Sequence, residues 1–352
     1  MNPHPERQLF AVGVSLALAA AVGSQVPRAA SSSSACQFSG VDRIVAVGDV
    51  HGAHDRFVEI LRAAYVIDAR NRWIGGRTHL VQLGDVVDRG PDSLKTLELL
   101  DALQTEAQRA GGAVHQLLGN HEAMRMLGDL RYVTPGEYDA FTSSKSGEIR
   151  DAYVERSKAA SEPVGAPPPL GFVEMRIAFG QNGRFGKSMR SHDAVIDIDG
   201  IVFVHGGISP AVASLSCDVI NETVRRNLGS ELAQTRGDPQ AQLVTRVDGP
   251  LWYRGLAEEP DTFAMAVDDI LTRQKATAIV VGHTVTPDGR VRARFGGRVL
   301  QIDTGMQPAY VPNGRASALE FEHGTMTAIY VDRRDPVVKG NTGPAGTAVP
   351  AR

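Results

Sequence analysis

The sequence predicts an α/β protein, because patterns typical of strands and of helices alternate along the first half of the chain. Short, largely apolar runs at positions 44–47, 80–83 and 114–118 predict three strands. Between them, apolar residues recur at helical spacing over positions 56–64 and 93–107. The chain also has 37 glycines and only 6% aromatic residues, which favours tight strand-to-loop turns over a helical bundle.

The second half of the chain continues with strands. Similar apolar runs at positions 201–204, 278–281 and 299–302 predict three more of them. Positions 317–331 predict two further strands joined by a turn at His323 and Gly324.

The stretch 136–192 interrupts this rhythm. It is polar, contains three consecutive prolines at 167–169, and is too long for a plain loop in a compact domain. We therefore expect a helical cap insertion over the open end of the sheet, and the alternative is a structureless surface excursion. Its apolar helix face would consist of Tyr138, Phe141, Ile149 and Tyr153.

The two ends of the chain differ from the part between them. An apolar stretch at 9–23 follows Arg7 and precedes small and polar residues, and it is shorter than the roughly 20 residues of a membrane span. Residues 1–35 are therefore predicted to be a signal peptide, cleaved after Gly23 or Ala35, of a periplasmic or secreted protein. The alternative is an uncleaved anchor, in which case the protein would contact a membrane. The main domain is expected at 40–333, followed by a disordered tail at 334–352 that is rich in Pro, Gly and Thr.

The charge balance and the cysteine count narrow the choice of partners. With a formal net charge of −3 and no basic block, the 352-residue chain is not expected to bind nucleic acid. Its two cysteines, Cys36 and Cys217, could form a disulfide in an exported protein. They could equally remain unpaired, or Cys36 could be lost with the leader.

Three short motifs of acidic residues and histidine each follow a predicted strand. They are GDVHG at 48–52, GDVVDRG at 84–90 and GNHE at 119–122, and two isolated His-Gly turns follow at 205–206 and 282–283. Because each motif stands at a strand end, its side chains can converge with the others on one point. Oxygen and imidazole ligands without a thiolate suit Mn, Fe or Zn. The candidate metal ligands are Asp49, His51, Asp85, Asn120, His205 and His283.

With these motifs the sequence resembles the calcineurin-like metallophosphoesterases, and within them the phosphoprotein phosphatase branch. The segments GDLRYVT at 128–134 and GPLWYRG at 249–255 are most similar to the Shewanella-like, or bacterial-like, phosphatases. The resemblance covers about residues 43–330. It implies a layered β-sandwich flanked by helices, with a cap insertion.

The resemblance also implies a role for each motif residue. Asp49, His51 and Asp85 would hold one metal ion, and Asp85, Asn120, His205 and His283 a second, so that Asp85 bridges both. His121 would be the general acid, oriented by Asp88, and Glu122 would orient its neighbours. The groups that contact the substrate phosphate would be Arg89, Asn120 and Arg254.

These roles predict a metal-dependent phosphomonoesterase that acts on phosphorylated proteins, at Ser, Thr or Tyr, by direct attack of a hydroxide between two metal ions. The alternative substrates are small phosphodiesters or dinucleoside polyphosphates, since a shared fold does not fix the substrate. A non-enzymatic metal-binding module is a third possibility. A cysteine-based tyrosine phosphatase is excluded, because neither cysteine has an arginine six positions later: Thr223 follows Cys217 and Asp42 follows Cys36 at that spacing.

Overall fold

Two six-stranded sheets form the framework of this computed structural model, which describes residues 35–160, 165–229 and 242–337. The chain divides into two units, Met1–Ser33 and Ser34–Arg352. The first unit, which contains nearly all of the predicted leader, lies outside the described residues, and so do residues 338–352 of the predicted tail.

The first sheet has the strand order β12-β11-β10-β2-β3-β4. Its parallel half consists of β2 (Arg43–Val47), β3 (His79–Gln82) and β4 (Ala113–Gln116). Its antiparallel half consists of β10 (Ser317–Glu322), β11 (Thr325–Tyr330) and β12 (Arg334–Pro336). Helix α1 (His54–Ala63) packs on β10, on β11 and on helix α2 (Ser93–Ala110), which packs in turn on β4.

The second sheet has the order β1-β5-β6-β7-β9-β8. Its strands are β1 (Gln37–Phe38), β5 (Val195–Ile198), β6 (Ile201–Val204), β7 (Ala278–Val281), β8 (Arg292–Arg294) and β9 (Val299–Gln301). Strands β6, β7 and β9 are parallel neighbours, so their carboxyl ends lie at one edge. Helices α8 (Cys217–Gly229), α9 (Gly255–Glu258) and α10 (Ala264–Gln274) complete this half.

The inner faces of the two sheets share one hydrophobic core. Phe203 of β6 is fully buried and meets Phe321 of β10 edge-on, with ring centroids 6.1 Å apart. Burial of such apolar side chains is the main force that holds two sheets face to face. The predicted α/β sandwich with flanking helices is confirmed.

The stretch after helix α3 (Asn120–Leu127) is helical, as predicted. It contains α4 (Pro135–Asp139), α5 (Ser146–Ala159), α6 (Phe172–Phe179) and α7 (Arg184–Met189). The predicted apolar face is divided between helices, since Tyr138 of α4 and Tyr153 of α5 both pack on Phe172 of α6. The segment contacts the main body at α2, through Arg184, and at α3, through Arg125.

Both boundaries of the main domain differ from the predicted 40 and 333. Strand β1 pairs with β5, and a disulfide joins the adjacent Cys36 to Cys217 of helix α8, so the fold begins before residue 40. Residues 334–336 form an edge strand instead of tail, because Arg334 pairs with the buried Glu320 of β10. Pro336 is compatible with an edge position. Among the described helices, none combines the length and the apolar character that crossing a bilayer requires.

Candidate metal centre and phosphate site

The candidate metal ligands lie just beyond the carboxyl ends of strands from both sheets. Asp49 and His51 follow β2, Asp85 follows β3, Asn120 begins the helix after β4, His205 follows β6 and His283 follows β7. All six are at least 93% buried. The parallel strands therefore bring residues from five separate segments of the chain to one edge, which is where ligands bind in sheets of this kind.

The backbone at this edge is held in an unusual conformation. Five non-glycine residues have left-handed backbone angles, with φ of 48°, 54°, 71°, 66° and 63° at His51, Asp85, Asp88, Arg89 and His283. Such angles cost about 1–3 kcal/mol each in general and tend to occur at functional sites.

The glycines of the motifs allow the loops to touch. A Cβ atom on Gly84 would lie 2.3 Å from the backbone nitrogen of Gly119, and one on Gly119 would lie 2.2 Å from Oδ1 of Asp85. Only glycine permits this approach of the second motif to the third. The close contact places the Asp85 carboxylate at the start of helix α3, where it accepts the backbone N–H of His121 at 3.0 Å.

The Asp85 carboxylate stands at the centre of the ligand cluster. Its Oδ2 lies 3.3 Å from Nε2 of His205 and 3.6 Å from Nε2 of His51. Asp85, His205 and His283 form one group whose ligand atoms all lie within 4.8 Å of one another, and His51, Asp85 and His121 form a second. Asp85 alone belongs to both groups, which is the arrangement expected of a carboxylate that serves two cations.

Two of the candidate histidine ligands, His51 and His283, are in the form that metal binding requires. Burial lowers the pKa of His51 to about 4, and burial together with His205 lowers the pKa of His283 well below its ordinary value, so both imidazoles are neutral at pH 7. Nδ1 of His51 and Nδ1 of His205 each lie 2.9 Å from a backbone carbonyl, so Nε2 is the nitrogen that each ring turns towards the cluster. Nε2 of His205 lies 3.0 Å from Oδ1 of Asn120, another of the candidate ligand atoms. Nε2 of His283 is buried and has no hydrogen-bond partner in the part of the chain that the structure describes.

The buried carboxylates also favour the binding of cations at this edge. Burial raises the pKa of Asp49, and the nearby Asp303 and Asp85 raise it further. Burial raises the pKa of Asp85 as well, but the surrounding imidazoles, led by His205, hold it well below its ordinary value. A buried group of carboxylates is stabilised when cations compensate it. The donor set, its burial and the unpartnered His283 nitrogen therefore all fit metal ions.

His121 and Asp88 form a buried dyad beside the cluster. Nδ1 of His121 lies 2.7 Å from Oδ2 of Asp88. Burial lowers the pKa of His121, but Asp85 and Asp88 outweigh this and raise it above its ordinary value. This shift favours the protonated imidazole, and Nε2 of His121 faces the cluster, 3.9 Å from Oδ2 of Asp85.

Two arginines border the same edge. The guanidinium of Arg89 lies between two tyrosine rings, 4.4 Å from the centroid of Tyr132 and 3.8 Å from that of Tyr310. Arg254 is exposed, and its Nη1 donates to the carbonyl oxygen of His283 at 2.8 Å and to Oγ1 of Thr284 at 3.0 Å. Both side chains are therefore anchored where a phosphate group on the cluster would need positive charge.

Sequence reasoning missed several residues of this site. Asp303, which follows β9, is buried against Asp49, and burial raises its pKa to about 6. Its signal was an apolar strand followed by an acid and a glycine, the same pattern as in the recognised motifs. Tyr132 lies in the GDLRYVT segment that carries part of the resemblance, but nothing in the sequence links it or Tyr310 to Arg89, because only the fold brings these side chains together.

Known proteins resemble this chain over most of its length. The family model described as calcineurin-like phosphoesterase matches residues 42–287. An uncharacterised protein of Schizosaccharomyces pombe is 34% identical over 84% of this chain and 82% of its own length. Shewanella-like protein phosphatase 2 of Arabidopsis thaliana is 29% identical over 87% of this chain and 81% of its own length. The solved cold-active protein-tyrosine phosphatase of a psychrophilic Shewanella species has a TM-score of 0.70 and 29% identity, and the match covers 86% of this chain and 82% of that one.

Proposed function

Because this chain belongs to the calcineurin-like phosphoesterase family, we propose that it is a metal-dependent phosphomonoesterase that acts on phosphorylated proteins. One observation carries the proposal: the ligand cluster, the Arg89 guanidinium and the His121–Asp88 dyad meet at a single edge of the sandwich. Together they offer sites for cations, for phosphate oxygens and for a departing oxygen. The protein phosphatases named among its relatives support the same substrate class.

The proposed centre would hold two metal ions, with Asp85 among the ligands of both. Asp49 and His51 would complete one site, and Asn120, His205 and His283 the other. Mn, Fe or Zn suits a donor set of carboxylate, amide and imidazole. When bound, such cations would supply positive charge for the phosphoryl oxygens and would acidify a water molecule at the site.

The protein side chains have separate tasks in this proposal. Arg89 presents a planar fork to two phosphate oxygens, and the amide of Asn120 and the anchored Arg254 add further donors. His121 gives its Nε2 proton to the departing oxygen, while Asp88 holds the imidazole charged and correctly turned. The phosphorylated residue could be Ser, Thr or Tyr, and the similarity to a protein-tyrosine phosphatase favours including Tyr.

A second candidate function is hydrolysis of dinucleoside polyphosphates or small phosphodiesters. A symmetrical bis(5'-nucleosyl)-tetraphosphatase of Methylobacillus flagellatus is 23% identical over 85% of this chain and 86% of its own length. The identity is lower than to the protein phosphatases, and we favour the phosphomonoesterase.

The deciding experiment compares substrates on one preparation of defined metal content. Phosphopeptides carrying phosphoserine, phosphothreonine or phosphotyrosine are assayed beside p-nitrophenyl phosphate, bis-p-nitrophenyl phosphate and a dinucleoside tetraphosphate. We expect the highest kcat/KM for a monoester. A clear preference for the tetraphosphate or for the diester would contradict the proposal, and no turnover at any pH with each of the three metals would favour a binding module.

We also propose that the protein works outside the cytoplasm, in the periplasm or after secretion. The leader-like pattern lies outside the described residues, but the disulfide between Cys36 and Cys217 suits an oxidising compartment. Alkylation and mass measurement of the protein from separated cell fractions would test this. Full-length chains with two free thiols in the cytosolic fraction would contradict it.

A further inference from the structure

A second group of charged side chains is buried beside the ligand cluster, between helices α3 and α4. It consists of Asp88, Arg125 and Glu137, which are 0%, 2% and 1% exposed. None of the three belongs to the proposed metal ligands. They form a continuous chain of ion pairs that leads from His121 to the helical segment at 136–192.

The two carboxylate oxygens of Asp88 have different partners. Oδ2 is bonded to Nδ1 of His121 at 2.7 Å, and Oδ1 accepts a hydrogen bond from Nη2 of Arg125. The same Nη2 donates to Oε1 of Glu137 at 2.8 Å. Arg125 therefore fixes the far side of the carboxylate that orients His121, and Glu137 fixes Arg125.

Glu137 also holds the backbone of Asp88 directly. Its Oε1 accepts the N–H of Asp88 at 3.1 Å and a hydrogen bond from the hydroxyl of Ser93. Because Asp88 has a φ of 71°, its backbone conformation depends on such external contacts. One glutamate of helix α4 thus supports both the main chain and, through Arg125, the side chain of Asp88.

Stability alone is a poor explanation for this group. Buried ion pairs often contribute no more to folding than well-packed apolar residues would. Nε and Nη1 of Arg125 have no hydrogen-bond partner among the described residues, and the ring of Phe179 from helix α6 lies 4.9 Å from the guanidinium carbon. Unpaired buried donors generally destabilise a fold. A group that retains them suggests a role in positioning.

We propose that Arg125 and Glu137 are positioning residues for His121, acting through Asp88, so that the segment 136–192 helps to aim the proton donor. The inference rests on the proposed phosphomonoesterase function. A water oxygen bonds to phosphorus as the bond from phosphorus to the leaving oxygen breaks, so the phosphoryl group becomes inorganic phosphate. The leaving oxygen takes the proton of Nε2 and departs as an alcohol or phenol, and the proton that the attacking water loses passes to solvent, which later returns a proton to His121. Misorientation of the imidazole should therefore matter most for leaving groups that cannot depart without a proton.

The kinetic test uses Arg125→Met and Glu137→Gln, assayed on aryl phosphates of graded leaving-group acidity. We expect kcat for phenyl phosphate to fall about 10–100-fold in Arg125→Met, and kcat for p-nitrophenyl phosphate to fall much less. KM and metal content should stay near the wild-type values. Glu137→Gln, which keeps the shape of the side chain, should give a smaller loss in the same direction and guards against a folding failure of Arg125→Met.

Two further variants separate positioning from general damage. Arg184→Gln removes an exposed ion pair between the same helical segment and helix α2, and it should leave the leaving-group dependence unchanged. In a His121→Ala background, Glu137→Gln should change the leaving-group dependence no further, because its action on the leaving group runs through His121. An equal loss on every aryl phosphate, or a further loss in that background, would overturn the proposal.

A spectroscopic measurement makes the inference independent of turnover. In zinc-loaded protein with labelled histidine, the Nδ1 proton of His121 is assigned by its disappearance in His121→Asn. We expect this resonance to shift or broaden in Glu137→Gln and to stay in place in Arg184→Gln. An unchanged resonance in Glu137→Gln would refute the positioning role. If the wild-type protein hydrolysed no monoester, the proposed function would fail, and this measurement would still decide the structural inference.

Discussion

The Glu122 carboxylate holds the loop that carries Asp85. Its Oε2 accepts the backbone N–H of Asp85 at 2.8 Å and that of Gly119 at 2.9 Å, and its Oε1 accepts the N–H of Val86 at 2.8 Å. Glu122 thus ties the second motif to the third without being a ligand itself. This fits the interpretation that Glu122 orients its neighbours.

Glu122→Gln should weaken metal binding. The amide nitrogen of Gln is a donor, so one end of the side chain could no longer accept the backbone N–H groups that Glu122 accepts, and the loop that carries Asp85 would lose part of its support. We expect an affinity loss of about 10–100-fold, the usual effect of removing a residue that supports a ligand. Titration with Mn²⁺ or Zn²⁺ measures it. Glu106→Gln is the matched control, since Glu106 also accepts a backbone N–H, from Trp73, but far from the ligands in sequence and outside the cluster. Equal effects of the two variants would contradict the assignment.

Asp85→Asn should remove both ions, because one carboxylate serves both ligand groups. Elemental analysis after dialysis should find little bound metal, and turnover should be lost. Asp88→Asn is the matched comparison. Asp88 contacts His121 and Arg125 and is not a candidate ligand, so this variant should keep its full metal content. Full metal content in Asp85→Asn would refute the shared ligand.

His121→Ala should keep the metals and slow turnover selectively. For poor leaving groups we expect kcat to fall about 10²–10⁴-fold, because no group then supplies the proton. The p-nitrophenyl group departs easily without a proton, so kcat for p-nitrophenyl phosphate should fall less. Stopped assays on phenyl and p-nitrophenyl phosphate measure both, and the general-acid role would be wrong if the two losses were the same.

Strands and motif residues could be predicted from local sequence patterns. Contacts that depend on tertiary packing could not. Strands β6 and β7 have the predicted bounds, and the candidate ligands could be recognised because each follows a strand within its own motif. Arg125, in contrast, looks like an ordinary helix residue, and its pairing with Glu137 depends on how helix α4 docks. The disulfide was left open for a related reason, since two cysteines in a sequence do not reveal whether the fold brings Cys36 to Cys217.

Tyr310→Leu should weaken phosphate binding, because it removes one of the two rings that hold the Arg89 guanidinium. A cation–π contact contributes about 0.5–2 kcal/mol, which corresponds to a roughly 2–30-fold rise in KM and in the inhibition constant of inorganic phosphate. Tyr310→Phe keeps the ring and should behave like the wild type. If Tyr310→Phe weakened phosphate binding as much as Tyr310→Leu does, the effect would come from the hydroxyl group and not from the ring face.

His115→Gln should reduce the sensitivity of the fold to acid. Burial, and then the neighbouring His79, lowers the pKa of His115 to about 4 in the folded protein, against about 6.5 when unfolded. Between these values the unfolded chain binds a proton that the folded chain does not, so the free energy of unfolding falls as the pH falls from about 6.5 towards 4. Above this window the contribution of His115 to stability is fully present.

Urea unfolding at pH 7 and pH 5 measures this effect. The loss of unfolding free energy between the two pH values should be smaller in His115→Gln than in the wild type, by on the order of 2 kcal/mol. Comparing the two proteins cancels the contribution of the metal ligands, which both retain. His323→Asn, at an exposed histidine with left-handed backbone angles that Asn tolerates, should follow the wild type. An unchanged pH dependence in His115→Gln would mean that His115 takes up its proton equally in the folded and the unfolded chain.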